Sequence, residues 1–341
     1  MNTYDPEQLF EKPKKKKKHK WVKGLVIFLA ILAGILALGI FATAGLGALI
    51  GGDSNDESNY QYSDDYIGVL EVHGTMYDDG SDPEYDQQWL LERIDQMKAD
   101  NYNRGMMLSI DTPGGSVYAI DELYLKIKEY QDATGRPVYA YMESMAASGG
   151  YYISAPADKI IANRNCWTGS IGVTVGTIYD ISEFLEELGV KTVTITAGEN
   201  KAMGSIVDPL TEEQKEIYQS LVDEAYEQFV EIVAEGRHMD LKAVKKVADG
   251  RIYTAKQALE LGLIDGIATR EDAIAQMKKD EKLNKCEAEI ITYEPEFTLS
   301  SWLYGMAETF AGGPKGEYEQ LMELMGENQK FTISYMSQER K

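Results

Sequence analysis

Apolar segments of strand length alternate with longer amphipathic segments through most of this chain, and this alternation restricts the fold more than any other feature. The strand-like segment YIGVLEVHGTM (66–76) is followed by the helical segment QQWLLERIDQMKAD (87–100) and the apolar run GMMLSID (105–111). A helix at 117–132 and a strand at 136–142 come next. Because strands and helices alternate every roughly 25–30 residues, we predict βαβ units, a largely parallel sheet and an α/β fold class. The later elements predicted in the same way are strands at 158–163, 171–178 and 190–198, a turn at 167–170, helices at 180–189 and 211–237, and then short helices with a strand near Gly266.

An uncharged segment of 27 residues, 24–50, follows a run of lysines near the N-terminus. It exceeds the ~20 residues that a helix needs to cross a bilayer, so we expect a transmembrane anchor. The eight lysines of the basic segment 1–23 predict that this segment is cytoplasmic and that the rest of the chain lies outside the membrane. A cleaved signal peptide is the alternative, since the Ala-Thr-Ala sequence at 42–44 resembles a cleavage site. The remaining predicted parts are a polar linker at 51–65, a folded domain at 66–290 and a tail at 291–341.

The charge of the chain is divided unevenly on the two sides of the predicted anchor. The net charge is −22, although the segment 1–23 carries eight basic and three acidic residues. A strongly acidic outer domain is a poor binder of nucleic acid, so we expect no nucleic-acid partner. Neither a His-Glu-x-x-His nor a Cys-x-x-Cys motif occurs, so we expect no metal and no cofactor. The two cysteines, Cys166 and Cys286, are expected to be unpaired and buried.

Two glycine-rich turns follow predicted strands, DTPGGS at 111–116 and AASGG at 146–150. Ligands of parallel α/β sheets bind at the carboxyl ends of the strands, so we expect these two turns to lie together. Ser148 lies between small residues in MAASGGYYIS, where a strand turns sharply into a short helix. A serine at such a turn can act as a nucleophile, because its hydroxyl is accessible and the following backbone N–H groups point at the atom it attacks.

A serine hydroxyl is a weak nucleophile until a neighbouring base takes its proton. The histidines offer no obvious base, because His19 lies in the lysine run and neither His73 nor His238 has a recognisable catalytic context. Lysine is the alternative, since Ser-Lys pairs perform the same reaction. Lys201 in ITAGENKAMGS follows a predicted strand and lies among small, uncharged residues. Lys191 is close in sequence, but it is expected at the amino end of its strand.

Five motifs in order, DTPGGS, AASGGYYIS, TGSIGV, TAGENKAMGS and GRIYTAKQALELGLID, resemble the signal peptide peptidase A (SppA) family of membrane-anchored serine proteases. The resemblance covers about Tyr66 to Lys279. Within the family, the chain is similar to the single-repeat form of Gram-positive bacteria. It implies a Clp protease/crotonase-like fold built of ββα units and a Ser-Lys dyad. By motif, Ser148 is then the nucleophile, Lys201 the general base and Ser170 the residue that orients the lysine. The implied oxyanion-hole donors are the N–H groups of Gly115 and Gly149, although the sequence leaves Gly114 open as an alternative to Gly115.

The resemblance also implies a function and an assembly. We expect an endopeptidase that degrades residual signal peptides at the cell membrane, and a homo-oligomeric ring of about eight subunits. The alternatives are a non-proteolytic scaffold with the same anchor and fold, or an acyl hydrolase. Small and aliphatic side chains are expected at the first substrate subsite. The tail includes KFTISYM (330–336), an extended segment that either packs against the domain or a neighbouring subunit, or occupies the substrate groove and limits activity.

Overall fold

A computed structural model describes residues 62–295 and 334–336 of the chain. The predicted basic segment 1–23, the predicted anchor 24–50 and residues 51–61 of the predicted linker lie outside the described residues. Within the described ranges, no helix combines the length and the apolar character that crossing a bilayer requires. The domain predicted at 66–290 falls wholly within the described part of the chain.

A mostly parallel sheet forms the centre of the domain. The strands of the described residues are β1 (Tyr66–His73), β2 (Asn103–Thr112), β3 (Gly114–Ser116), β4 (Val138–Ala147), β5 (Lys159–Ala162), β6 (Trp167–Gly169), β7 (Ile252–Thr254), β8 (Gly266–Ile267), β9 (Glu287–Ile291) and β10 (Ser334–Met336). The main sheet has the order β7-β6-β4-β2-β1-β9, with β5 pairing to β4 and β8 to β5, while β3 and β10 form a separate antiparallel pair. Strands β1, β2 and β4 pair in parallel and are largely buried, as expected for strands covered on both faces. The predicted α/β class is confirmed.

Helices connect these strands, and their ends follow the local sequence. The helices of the described residues are α1 (Gln87–Ala99), α2 (Val117–Thr134), α3 (Gly149–Ser154), α4 (Ser182–Glu187), α5 (Glu212–Gly236), α6 (Leu241–Lys245), α7 (Ala255–Glu260) and α8 (Arg270–Asp280). Helix α2 begins where the Ser116 side chain accepts a hydrogen bond from the Ala119 amide, and it ends at Gly135 in the left-handed conformation. Helix α5 begins with a capping box between Thr211 and Gln214.

The core is divided unequally between the two faces of the sheet. The larger cluster lies on the face covered by α1, α2, α3 and α5 and includes Leu90, Ile120, Tyr152 and Phe229. The smaller cluster lies beneath α8 and includes Met277. Cys166 belongs to the first cluster and Cys286 to the second, and both thiols are free. Burial raises the pKa of the Cys166 thiol to about 12, so this side chain behaves as an apolar core residue.

The segment between β6 and α5 differs from the sequence-based expectation. The strands predicted at 171–178 and 190–198 are wrong, since these residues are irregular apart from a bridge between Thr174 and Ser334. Val193 and Ile195 are 83% and 92% exposed. A strand requires a hydrogen-bonding neighbour, and the described residues offer none beside 190–198. The turn predicted at 167–170 contains strand β6 instead, because it pairs with both β4 and β7.

Candidate active site

Ser148 occupies the sharp turn between β4 and α3. Its backbone has φ 54° and ψ −110°, a positive φ that is uncommon for a residue with a side chain. The Ser148 amide donates to the Gly169 carbonyl at 2.8 Å, and the Ser148 carbonyl accepts from the Tyr152 amide at 2.9 Å. These bonds at both ends hold the strained turn in place, and Ser148 is only 1% exposed. The strand, turn and helix predicted around Ser148 are confirmed.

The glycines after Ser148 allow α3 to pack closely against its neighbours. A Cβ on Gly149 would overlap Ile120 of α2, and a Cβ on Gly150 would lie 2.8 Å from Cγ2 of Thr112. Any larger residue at either position would push the helix away from the sheet. The small residues of AASGG therefore bring the amino end of α3, with its N–H groups, directly beside the other glycine-rich turn.

The second glycine-rich turn joins β2 to β3. Gly114 has φ 107°, and its amide donates to the Thr112 hydroxyl at 3.1 Å. Its carbonyl accepts from the Met76 amide at 2.8 Å, and the Ser116 amide donates back to the Met76 carbonyl at 2.9 Å. A Cβ on Gly114 would lie 2.9 Å from the Gly149 nitrogen. The two turns are therefore adjacent, as the sequence predicted from their positions at strand ends.

Residues Ser334–Met336 lie across this junction as strand β10. They pair in antiparallel fashion with β3, with Tyr335 opposite Gly115. On the other side, Thr174 and Ser334 exchange backbone hydrogen bonds of 3.1 and 2.9 Å. A Cβ on Gly114 would lie 1.8 Å from the Tyr335 carbonyl oxygen and 2.9 Å from the Gly149 nitrogen, so both atoms border the space above Gly114. The segment is held in the way that an extended peptide binds to exposed strand edges.

The ring of Tyr335 is fully buried in an aromatic pocket. It stacks on Tyr152 with 5.0 Å between the ring centroids and meets Phe229 edge-on at 4.9 Å. Its hydroxyl donates to the Ala225 carbonyl of α5 at 2.9 Å. Burial raises the pKa of Tyr335 above its ordinary range, so the hydroxyl stays protonated and remains a donor. This pocket was not predicted from the sequence, although the two tyrosines after AASGG and the apolar spacing of α5 were visible signals.

The wall of the pocket behind Tyr335 is fixed by polar contacts. The Tyr152 hydroxyl donates to Oδ1 of Asp121 at 2.7 Å, and Nε2 of Gln228 donates to the Tyr152 oxygen at 2.7 Å. Burial, together with the hydrogen bond to Asp121, raises the pKa of Tyr152 above its ordinary range. The Tyr152 ring is therefore held in one orientation, four residues after Ser148 on α3.

Ser170 lies beside Ser148, because β6 pairs with the carboxyl end of β4. Ala147 is paired with Gly169, so the residues that follow them, Ser148 and Ser170, lie at the same edge of the sheet. Ser170 has φ 50°, is 7% exposed and donates its amide to the Arg251 carbonyl at 2.8 Å. It also lines an open cleft of about 700 Å³ together with Thr174. The structure thus places Ser170, Gly115 and Gly149 around Ser148.

Lys201 is exposed in a turn of the irregular segment, and the structure does not bring it to Ser148. Its amide donates to the Gly198 carbonyl at 3.2 Å, and within residues 62–295 and 334–336 its Nζ makes no hydrogen bond or ion pair. Lys191 is also exposed in the same segment. Within one copy of the described chain, therefore, no hydrogen bond or ion pair directs the amine of either lysine to Ser148.

Neither described histidine can replace the lysine in this arrangement. The ring of His73 is bonded to Glu143 at 3.2 Å, on the α8 face of the sheet and opposite to α3. His238 lines a cleft with Asp158, whose side chain accepts from the Val138 amide at the amino end of β4. The carboxyl end of β4 carries Ser148, so His238 lies at the wrong end of the strand.

One group of described side chains has the composition of a metal site. Glu71, His73 and Glu143 could each direct one ligand atom to a common point. Nη1 of Arg270 lies 2.8 Å from Oε1 of Glu71, and the Ser109 hydroxyl donates to Glu143 at 2.7 Å. The guanidinium therefore already supplies the positive charge that these carboxylates attract, and the group is a hydrogen-bonded ion cluster.

Comparisons with known proteins show which family the chain resembles. Residues 130–284 match the family model described as Peptidase family S49. A candidate signal peptide peptidase SppA from Enterococcus faecium is 40% identical over 247 residues, which are 70% of this chain and 70% of the relative. A candidate protease from Methanocaldococcus jannaschii is 37% identical over 230 residues, 65% of this chain and 72% of the relative. The solved structure of a ClpP1 variant from Listeria monocytogenes has a TM-score of 0.41 at 14% identity, and the match covers 60% of this chain and 94% of that one.

Proposed function

The chain belongs to the S49 peptidase family and is a serine protease, and on this premise we propose that Ser148 is its nucleophile. The main support is the register of the bound tail segment. A Cβ built on Gly114 would lie 1.8 Å from the Tyr335 carbonyl oxygen and 2.9 Å from the Gly149 nitrogen. The Tyr335 carbonyl and the Gly149 amide thus border the same space, and there we place the reacting carbonyl of a substrate. The strained backbone of Ser148 supports the same assignment, because strain of this kind collects at functional turns.

We assign the oxyanion hole to the backbone N–H groups of Gly149 and Gly115. Gly149 begins α3, where N–H groups have no partner within the helix and can bind a developing negative charge. Gly115 pairs directly with Tyr335 across the β3–β10 ladder, whereas Gly114 adopts the positive φ that turns the chain. These two amides therefore approach the reacting carbonyl from different elements.

The proposed general base is Lys201, oriented by Ser170. In its neutral form the Lys201 amine takes the proton from the Ser148 hydroxyl as Oγ bonds to the substrate carbonyl carbon. The resulting ammonium then gives that proton to the leaving amine as the peptide bond breaks. A water molecule releases the acyl group from Ser148 by the same steps. Burial in apolar surroundings favours the neutral amine, so Lys201 must leave its exposed position for the cleft beside Ser170.

Association with further copies of the chain would supply that burial. The segment before Lys201 is irregular in one copy and exposes Val193 and Ile195 almost completely. An extended segment with exposed apolar side chains is expected to pair with another chain. We therefore propose a homo-oligomer, in ring form, in which this segment becomes a strand and Lys201 is directed to Ser148. The Clp protease/crotonase-like fold expected from the sequence belongs to the same proposal.

The proposed substrates are residual signal peptides and other hydrophobic peptides at the cell membrane. The apolar segment 24–50 would anchor the catalytic domain on the outer side, within reach of such peptides. The E. faecium relative, a candidate signal peptide peptidase, supports this choice. The edges of β3 and Thr174 bind main-chain groups, which suits an unfolded peptide of varied sequence.

Cleavage of a fluorogenic hydrophobic peptide by the full chain in detergent tests the assignment. Ser148→Ala and Lys201→Ala should each lower kcat/KM by at least about 10³-fold while leaving the oligomer intact. Lys191→Ala is the matched control, since Lys191 is exposed in the same segment and should be dispensable. Full activity of Lys201→Ala would refute the base, and an inactive wild type on every peptide would favour the scaffold alternative.

A further inference from the structure

We propose that Asp111 is a positioning residue of this protease, because its carboxylate holds a bulge in β4 that sets Ser148 beside the β2–β3 turn. The inference goes beyond the proposed function but rests on Ser148 as nucleophile. By strand alternation the Asp111 side chain shares the face of Met107, which packs beneath α8, whereas α3 covers the opposite face. Asp111 therefore acts through the backbone and not on the substrate.

The bulge lies where β4 exchanges one neighbouring strand for another. Up to Met142, β4 pairs with β2 in regular parallel register, and Met142 is opposite Ile110. The next pair is Ala146 with Thr112, so β4 advances by four residues while β2 advances by two. Residues up to Met142 also pair with β5, whereas Met145 and its successors pair with β6. Bulges are rare between parallel strands and frequent next to active sites, where they redirect a side chain.

The two extra residues determine where Ser148 lies. A strand rises by about 3.3 Å per residue, so a β4 without the bulge would carry Ser148 roughly 7 Å further past the end of β2. With the bulge, Ala147 pairs with Gly169, and the chain turns at Ser148 into α3 beside the β2–β3 turn. A Cβ on Gly150 would lie 2.8 Å from the Thr112 side chain, so α3 packs tightly against the end of β2.

Asp111 supplies hydrogen bonds that hold the bulge. Its Oδ1 accepts from the Met145 backbone amide at 3.0 Å, at the residue where β4 begins to pair with β6. The Ser144 hydroxyl lies 2.7 and 2.8 Å from the two carboxylate oxygens. The bulge interrupts the ladder between β2 and β4, and a main-chain amide without an acceptor there would destabilise this course of the strand.

Asp111 also belongs to the strand that carries the other half of the site. The hydroxyl of the next residue, Thr112, accepts from the Gly114 amide at 3.1 Å and shapes the β2–β3 turn. The carboxylate thus ties β4 to this turn and sets the spacing of the two proposed oxyanion donors, Gly115 and Gly149. A displacement of about 1 Å at a reacting group can cost about 10²-fold in rate.

Steady-state cleavage of the fluorogenic hydrophobic peptide by the full chain in detergent tests this role. Asp111→Ala should lower kcat by about 10- to 100-fold and change KM by less than about threefold. The KM should hold because β3, the strand that binds the peptide, is fixed separately by the backbone of Met76. Asp111→Asn should keep kcat within about threefold of the wild type, because Oδ1 still accepts from the Met145 amide and Nδ2 can donate to the Ser144 hydroxyl.

Asp158→Ala is the matched control, since Oδ2 of Asp158 accepts from the Val138 amide at 2.8 Å at the opposite end of β4. The urea midpoint should fall by similar amounts in Asp111→Ala and Asp158→Ala, but only Asp111→Ala should lose kcat. If Asp111→Ala does not fold, the exposed Ser144 provides the test. A kcat about two- to fivefold lower in Ser144→Ala at unchanged KM would support the role, and an unchanged kcat would overturn it.

The outcomes distinguish the positioning role from the proposed function. A folded Asp111→Ala with the kcat of the wild type, beside an inactive Ser148→Ala, would overturn the role and leave the nucleophile in place. An equal loss of kcat in Asp111→Asn or Asp158→Ala would overturn it as well, since charge or general loosening of β4 would then explain the loss. If Ser148→Ala cleaves the peptide as fast as the wild type, the proposed function fails and the positioning role with it.

Discussion

Replacing Gly114 with alanine should separate catalysis from stability at the junction of the two glycine-rich turns. The new Cβ would overlap the position of the Tyr335 carbonyl and lie 2.9 Å from the Gly149 nitrogen. It would therefore occupy the space in which we place the reacting carbonyl. Loss of one oxyanion donor costs about 10²–10³ in kcat, so we expect kcat/KM to fall by at least that factor.

The effect of Gly114→Ala on stability should be small by comparison. Gly114 has φ 107°, a conformation that costs a residue with a side chain about 1–3 kcal/mol. For a domain of this size each kcal/mol lowers Tm by about 2–4 °C, so the fold should survive at the assay temperature. Peptidase activity and thermal unfolding of the full chain are measured on the same preparation.

Gly135→Ala is the matched control for backbone strain. Gly135 also has a positive φ, 62°, but a Cβ there would meet no atom within 4 Å. This variant should lose a similar amount of stability and keep its activity. Gly114→Ala with kcat/KM within about threefold of the wild type would refute the placement of the carbonyl, because 10²-fold is the smallest loss expected for a blocked oxyanion hole.

Three further predictions concern the tail, a histidine and an ion pair. Deleting residues 330–341 should raise kcat/KM severalfold, because β10 fills the groove, and unchanged peptidase activity with an intact oligomer would contradict this. The hydrogen bond to Glu143 raises the pKa of His73, although burial of the ring opposes this shift. The protonated ring therefore stabilises the folded state fully below about pH 6.5, and this stabilisation is lost as the pH rises through the folded-state pKa. We compare the unfolding free energies of the wild type and His73→Gln, measured by urea titration at about pH 6 and 8.5. The wild type should lose up to about 1 kcal/mol more than the variant over this range. Equal losses in the two proteins would contradict this prediction. Asp265→Ala should lower the unfolding free energy by about 2 kcal/mol, because it leaves the Arg237 guanidinium, whose side chain is only 8% exposed, without its bidentate partner. A loss below about 0.5 kcal/mol would contradict this.

The sheet and its helices were predictable because their signals are local. The runs that became β1, β2 and β4 are mostly apolar, as is typical of strands covered on both faces, and the helices between them begin at recognisable caps such as Ser116. The meeting of the two glycine-rich turns followed from parallel topology alone, since both turns end strands that are neighbours in the sheet.

The parts that failed depend on contacts that a single sequence does not display. The segment 190–198 has strand-forming residues, but a strand exists only where a partner pairs with it, and one copy provides none. The pocket of Tyr335 joins α3, α5 and the tail, which are far apart in the chain. Lys201 was identified by motif, yet its position relative to Ser148 depends on how the exposed segment around it packs.

Trapping the acyl-enzyme would identify the nucleophile itself. The full chain would be quenched with acid during turnover of a tyrosyl peptide ester and digested, and the acyl adduct would be located by mass spectrometry. We expect an adduct on Ser148 that is absent from Ser148→Ala. An adduct on any other residue, or steady turnover that persists in Ser148→Ala, would contradict it.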